Sequence, residues 1–262
     1  MNVPNFYDRM KFPEKITPVS KKEAEFIYKF IKEKEIKDTL EIGLGYGGSA
    51  AYIISASRGK HYIVDPFQKH YGNTGLKNLK SLGLSKNMIF LDNFSHSALP
   101  QLLDNQVSID FAFIDGDHGY DTAFIDFYYV DLLLRKGGYV LFHDIRMKSI
   151  REVASWIKQN KLNYKQVKLP SALWNFIMFR KIKKDSILRW YNRGCYNLDS
   201  FEGKSARKFI SYKNLFLSLG NLMFLPLFNF MKNLPSALLG IAGKVIKKIN
   251  PKLYQNLKRK IK

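Results

Sequence analysis

Cysteine is almost absent from this chain: Cys195 is the single one among 262 residues. That excludes a disulfide framework and a CxxC zinc site, and a reducing, cytoplasmic setting is expected. The sequence opens MNVPNFYDRMKF, without an apolar run, so no secretory signal is expected. No internal repeat is visible. Acidic residues are scarce toward one end: residues 1–180 hold 25 basic and 19 acidic side chains, and residues 181–262 hold 18 and 3. Most of the formal +21 charge therefore belongs to the later segment. Such asymmetry fits an anionic partner, whether membrane surface, nucleic acid or acidic glycan, and it equally fits a solvated basic tail. Against these absences stand 46% apolar and 15% aromatic residues, enough for a sizeable core.

Strand and helix patterns alternate through the middle of the chain. Pro4, Pro13 and Pro18 mark residues 1–19 as an irregular arm. Ser20 and Glu23 form a capping box, and a helix with Phe26, Ile27, Phe30 and Ile31 on its apolar face should run to about Ile36. Short strands are predicted over Thr39–Ile42, His61–Asp65, Met88–Leu91, Ile109–Ile114 and Tyr139–Phe142. Between them, helices are predicted over Gly48–Ala56, Leu76–Leu82, His96–Leu103 and Asp121–Arg135, the last ending at Gly137-Gly138. Lys148–Asn160 should be a further helix. Tyr164–Leu169 and Trp174–Arg180 read as an antiparallel hairpin closing the sheet. The expected fold is α/β, a doubly wound, mostly parallel seven-stranded sheet over residues 20–180. Residues 181–262 are expected to form a separate basic, apolar, mainly helical extension.

The sharpest motif is Leu40-Glu41-Ile-Gly43-Leu-Gly45-Tyr-Gly47-Gly48-Ser49, between the first strand and the next helix. Glycines there permit positive φ and close backbone approach to a ligand, and the helix N-terminus beyond offers free N–H groups. Dinucleotide enzymes use nearly the same loop, and a ligand-free turn uses the same glycines. Two acids refine the reading. Glu41 before the glycines would repel a pyrophosphate but suits a ligand bearing an ammonium group. Asp65, ending the second strand, can accept from both hydroxyls of a ribose or can serve as a turn acid before Pro66.

With LEIGLGYGGSAAYI, HYIVDPFQ and FIDGDHGYDTAFIDFYYVDLLLRKGGYVLFHD in view, residues 20–180 resemble class I S-adenosylmethionine-dependent methyltransferases. Within that class they resemble the branch of small-molecule and sugar O-methyltransferases, with a Rossmann-like fold. The resemblance implies S-adenosylmethionine as cofactor, with Glu41, Gly43, Gly45, Gly47, Ser49, Asp65, Ser95 and Asp115 lining its site. Ser95 would border the adenine, although it can equally cap the following helix.

A second cluster lies at the ends of later strands. Asp115, Asp117 and His118 follow Ile109–Ile114, and His143-Asp144 follows the next strand. If those strands are neighbours, Asp115 and Asp144 converge, and hard oxygen ligands suit Mg²⁺ or a similar cation. The resemblance implies Asp115 and Asp144 as metal ligands and His118 as general base. Relatives carry two adjacent acids where this chain has His143-Asp144, so His143 either binds metal through a neutral nitrogen or faces the substrate. Asp117, Asp121 and Asp126 read as helix caps or solvated acids.

The extension holds two apolar stretches, 214–231 and 234–246, and ends KKINPKLYQNLKRKIK. Three readings stay open: an interfacial helix pair on an anionic membrane, a helical lid or homodimerisation element, and a membrane span. The expected activity is methyl transfer to a hydroxyl oxygen of a small-molecule or sugar acceptor, in the cytoplasm or at the inner face of the membrane. The alternatives are a non-catalytic, membrane-associated nucleoside-binding protein and an NAD-dependent oxidoreductase. Nucleic acid is disfavoured as substrate, because no Asn-Pro-Pro-Tyr-type base-flipping motif is present.

Overall fold

The computed structural model describes residues 2–13 and 19–184. Seven strands and six helices alternate: β1 (Thr39–Ile42), β2 (His61–Val64), β3 (Met88–Leu91), β4 (Ile109–Ile114), β5 (Leu134–Phe142), β6 (Tyr164–Val167) and β7 (Ile177–Lys181). The helices are α1 (Lys21–Glu33), α2 (Gly48–Ala56), α3 (Thr74–Ser81), α4 (Ser95–Asp104), α5 (Tyr120–Leu133) and α6 (Lys148–Asn160). The sheet runs β3-β2-β1-β4-β5-β7-β6. Pairing is parallel from β3 to β5, and β7 inserts antiparallel between β5 and β6. The expected doubly wound fold is therefore the observed one. No helix among the described residues is long and apolar enough to cross a membrane.

Strand alternation feeds two cores. Along β4, Phe111 and Phe113 face the helices α1 and α2, while Ile109, Ala112 and Ile114 face α4, α5 and α6. Along β5, Tyr139 and Leu141 join the first core, and Val140 and Phe142 the second. Burial on both faces explains why these strands read as continuous apolar runs. The capping box forms as the sequence predicts, with the Ser20 hydroxyl accepting from the Glu23 N–H and the Glu23 carboxylate accepting from the Ser20 N–H. The N-terminal arm is irregular but packed: Phe6 lies edge-on to Tyr52 at 5.2 Å, and the Lys11 N–H donates to Asn78.

Several element bounds shift by one to three residues, and the largest departure from expectation lies between α5 and β5. The α5 helix ends at Leu133, and Leu134 already belongs to β5. Gly137-Gly138 is not a helix stop but part of an irregularity in that strand, where the register with β4 shifts between Ile109 and Phe111. Gly137 takes φ +93° there. The cause is tertiary: the Arg135 guanidinium reaches Asp110 of β4 at 2.8 Å and Asp38, just before β1, at 3.2 Å, which ties this segment to the sheet. The stretches 214–231 and 234–246 and the basic end lie outside the described residues, together with the membrane, lid and dimer expectations attached to them.

Candidate active site

Strand order reverses between β1 and β4, and this is where open α/β sheets bind ligands. A cavity of about 790 Å³ opens there, over the C-terminal ends of the parallel strands. Such a volume suits a nucleoside-sized ligand with part of an acceptor. Gly43, Gly45, Ser49, Asp65, Ser95, Asp115, His118, His143 and Asp144 all line it.

The glycine loop is built for close approach. Gly43 has φ +92°, and a Cβ placed on it would lie 2.1 Å from the Asp115 carbonyl oxygen. That glycine lets β1 and β4 pass at their ends. Gly45 has φ +50°, and a Cβ there would meet nothing within 4 Å, so the loop leaves open space above it. Gly47 departs from expectation: it does not line the cavity but starts α2 with φ +82° and packs against Gly75.

Asp65 is buried and receives the loop. Its Oδ2 accepts from the N–H groups of Leu44 and Gly45 at 2.9 and 3.1 Å, and its Oδ1 accepts from the Phe67 N–H at 2.7 Å. Oδ1 keeps a lone pair for a ligand hydroxyl. Glu41 has a different place from the expected one. Its side chain is fully buried under the loop, takes the Ser49 hydroxyl and lies 3.1 Å from His61 Nε2. It does not line the cavity and so offers no direct contact to a ligand ammonium. Burial raises its pKa, and the His61 and Ser49 hydrogen bonds oppose that rise.

At the other end, β4 and β5 are neighbours, and the acids converge. His118 Nε2 lies 2.8 Å from Asp144 Oδ2 and 3.9 Å from Asp115 Oδ1. The hydrogen bond to Asp144 raises the His118 pKa against the effect of burial. Hydrogen bonds from His118 and His143 hold the Asp144 carboxyl far below the usual carboxylate range. Burial raises the Asp115 pKa, against its hydrogen bond to His143. Asp144 itself sits at φ +52°, an uncommon conformation for a non-glycine residue, held by the Asn175 amide donating to Oδ1 at 3.0 Å.

Asp115, His118 and Asp144 each place one ligand atom within 4.8 Å of the others. His143 is not in that group, and it lies against the acids around it. Its Nδ1 lies 3.0 Å from Asp115 Oδ1 and its Nε2 lies 3.6 Å from Glu23 Oε1. Burial alone would lower its pKa, but hydrogen bonds to Asp115, Asp144 and Glu23 push it up to about 12. Glu23, legible in sequence only as a local cap, thus also meets the site.

Aromatic and acidic residues that the sequence did not mark as part of the site complete the cavity. Phe67 and Phe94 are each 51% exposed and meet edge to face at 5.8 Å, beside Asp65 and Ser95. Asp126, read from sequence as a cap or solvated acid, is instead buried against the cavity, which pushes its pKa up to about 6.

Residues 40–145 match a family described as a methyltransferase domain, and the match spans both the glycine loop and the His118–Asp144 cluster. Over that stretch the chain is similar to a methyltransferase domain. A protein of Arabidopsis thaliana that carries the name caffeoyl-CoA O-methyltransferase is 28% identical over 123 residues, 46% of this chain and 51% of its own. The chain spans about half the length of that curated relative. Among solved structures, an O-methyltransferase from Bacillus cereus in complex with S-adenosylhomocysteine (SAH) aligns with TM-score 0.54 at 18% identity, over 62% of this chain and 81% of its own. The O-methyltransferase TomG from Streptomyces achromogenes, in complex with S-adenosylmethionine, aligns with TM-score 0.55 at 14% identity, over 63% and 82%. Those structural likenesses carry the fold. The family match sets the dinucleotide oxidoreductase reading aside.

Proposed function

We propose that this methyltransferase transfers the methyl group of S-adenosylmethionine to a hydroxyl oxygen of a small-molecule or sugar acceptor. The carrying observation is one cavity with the open glycine loop and Asp65 at one end and the His118–Asp144 pair at the other. The open space above Gly45 and the spare lone pair of Asp65 fit the cofactor's ribose and methionine portions. Phe67 and Phe94 fit a slot for its base. The sulfonium supplies an electrophilic methyl carbon for in-line displacement, so positioning carries much of the catalysis.

An alcohol is a poor nucleophile while protonated, and His118 answers that need. With Nε2–H donating to Asp144, the basic nitrogen is Nδ1, which takes the acceptor's hydroxyl proton as the oxygen attacks. Asp144 then stabilises the imidazolium that forms, as an orienting carboxylate does in other histidine-base pairs.

Asp115, His118 and Asp144 would hold a divalent cation; two carboxylates and an imidazole suit a transition ion better than Mg²⁺. When bound, the ion would polarise the acceptor oxygen. His118 cannot both ligate through its basic nitrogen and take a proton. The base reading therefore comes first. Its test is turnover of an acceptor panel with labelled cofactor, in excess chelator and with each divalent ion restored. Turnover in chelator supports His118 alone, and strict dependence on an ion overturns that in favour of the metal.

For residues 181–262 we carry the charge-based reading of an anionic membrane surface as partner. It rests on 18 basic against 3 acidic residues. Sedimentation of the full chain with anionic liposomes at low salt, and release at high salt, is the expected result.

A further inference from the structure

We propose that the outer face of α5 is a two-fold interface with a second copy of this chain, the two helices packing antiparallel about the midpoint between Tyr128 and Tyr129.

The α5 helix is apolar on every side, which is the pattern of a helix enclosed by protein. Only part of it is enclosed. One side lies on the sheet through Ala123, Phe127 and Val130, and α4 and α6 flank it. The remaining side carries Ile125, Tyr128 and Leu132, which are 38%, 51% and 43% exposed. At 3.6 residues per turn these three fall within an arc of about 60°. Their spacing of three and then four residues is that of a helix–helix seam. Half-buried Phe124, edge-on to Trp156 of α6 at 4.7 Å, and half-buried Tyr129 widen the stripe. A single exposed apolar side chain is ordinary, but a continuous stripe along one helix marks a surface that is covered.

The order of residues along the stripe says what covers it. Asp121, exposed, opens it, and Lys136, exposed at the start of β5, lies just past its other end. Counted outward from the midpoint between Tyr128 and Tyr129, Ile125 and Leu132 are equidistant, and so are Asp121 and Lys136. A two-fold axis through that midpoint pairs each residue with the one equally far along in the other direction. It sets Tyr128 against the partner's Tyr129, Ile125 against the partner's Leu132, and Asp121 against the partner's Lys136, each contact occurring twice. Parallel packing would instead oppose Asp121 to Asp121 and Lys136 to Lys136. An isologous contact needs a surface that complements itself, and this one does so in apolar pairing and in charge. Thr122 and Asp126, which line the cavity, lie on another side of α5, so both cavities stay open in the dimer.

Sedimentation equilibrium of the full chain at low salt tests this, with Tyr128→Glu, Asp121→Lys, Lys136→Asp and the double charge exchange. The wild type should be a dimer that dissociates on dilution. Tyr128→Glu brings like charges together near the axis and should weaken association by about 100-fold or more. Each single charge reversal should weaken it by roughly 5-fold to 30-fold, since the two-fold repeats the contact, and the double exchange should return to within about 3-fold of the wild type. The double exchange keeps any cost of a lysine at the start of α5, so its recovery reads the contact itself, and it holds the test if Tyr128→Glu does not fold. A wild type that is monomeric at every concentration overturns the inference and leaves the stripe to another occupant. A dimer that folded Tyr128→Glu leaves intact overturns it too, as does a double exchange no tighter than either single reversal.

Discussion

Two glycines four ångströms of emptiness apart in character should fail in opposite ways when given a side chain. At Gly43 a methyl would sit 2.1 Å from the Asp115 carbonyl oxygen, more than an ångström inside van der Waals contact, on a residue with φ +92°. Positive φ alone costs an alanine about 1–2 kcal/mol. Pushing β1 from β4 adds about 1–3 kcal/mol, because the obstacle is backbone and cannot rotate away. Gly43→Ala should therefore lose about 2–5 kcal/mol of stability. At Gly45 the methyl would meet nothing within 4 Å, so Gly45→Ala pays only the φ +50° penalty, about 1 kcal/mol. Gly45→Val fills the same open space with a branched side chain and should abolish binding while leaving a folded domain. Thermal unfolding with and without SAH reads both effects. At about 100 times its Kd a ligand adds about 2.7 kcal/mol, which for a domain of this size is a shift of roughly 5–10 °C. Gly43→Ala should melt far lower before ligand is added. Gly45→Val should melt several degrees below the wild type, because a β-branched residue is strained at positive φ, but stay folded and show no shift with SAH. A full shift for Gly45→Val would remove the loop from the cofactor site, and a wild-type melting point for Gly43→Ala would refute the close approach of β1 and β4.

Three further outcomes are expected. His118→Ala should lower kcat by roughly 10²–10⁴-fold with SAH affinity intact; because Asp144 raises the His118 pKa, the wild-type rate should climb with pH through a value above the ordinary histidine range, and a limb at or below that range refutes the pairing. Asp131 lies buried between Lys161, Lys181 at 3.1 Å and the Tyr164 hydroxyl at 2.7 Å. Burial alone would raise its pKa, but the two ammonium groups hold it below the usual carboxylate range. A depressed folded pKa gives stability that is present above the unfolded carboxylate pKa of about 4 and lost as pH falls below it, so denaturant midpoints should drop on acidification. Asp131→Ala should remove about 3–5 kcal/mol by leaving buried cations uncompensated, which urea unfolding at neutral pH measures, and it should lose most of that acid sensitivity. Glu41→Gln should change SAH affinity by less than about 3-fold, since Glu41 faces Ser49 and His61 rather than the cavity, whereas a loss approaching 10-fold or more, the size of a charge-assisted hydrogen bond, would restore a direct ammonium contact.

Local chemistry made much of this molecule legible before any coordinates. Ser20 and Glu23 form their box because both partners lie within one helical turn. The glycine loop announces a strand, a turn and a helix because backbone conformation at each position depends on that residue and its neighbours. The strands β1, β3 and β4 fall at the predicted bounds, and in β4 burial on both faces leaves an apolar run broken only by Asp110. What tertiary structure decided is which distant groups share a place. Glu41 looks like a ligand contact until sheet order sets His61 of β2 beside β1 and gives it a partner. Asp126 looks solvated until α5 docks on α4 and its carboxylate is shut against the cavity wall. The α5 pattern continues past Leu133 in sequence, yet Arg135 is drawn into the sheet by Asp38 and Asp110, 97 and 25 residues away. His118 meets Asp144 across 26 residues because β4 and β5 are neighbours. Periodicity reports which face of an element is apolar, but it carries no term for which strand lies alongside, and side-chain partnership is set by that adjacency.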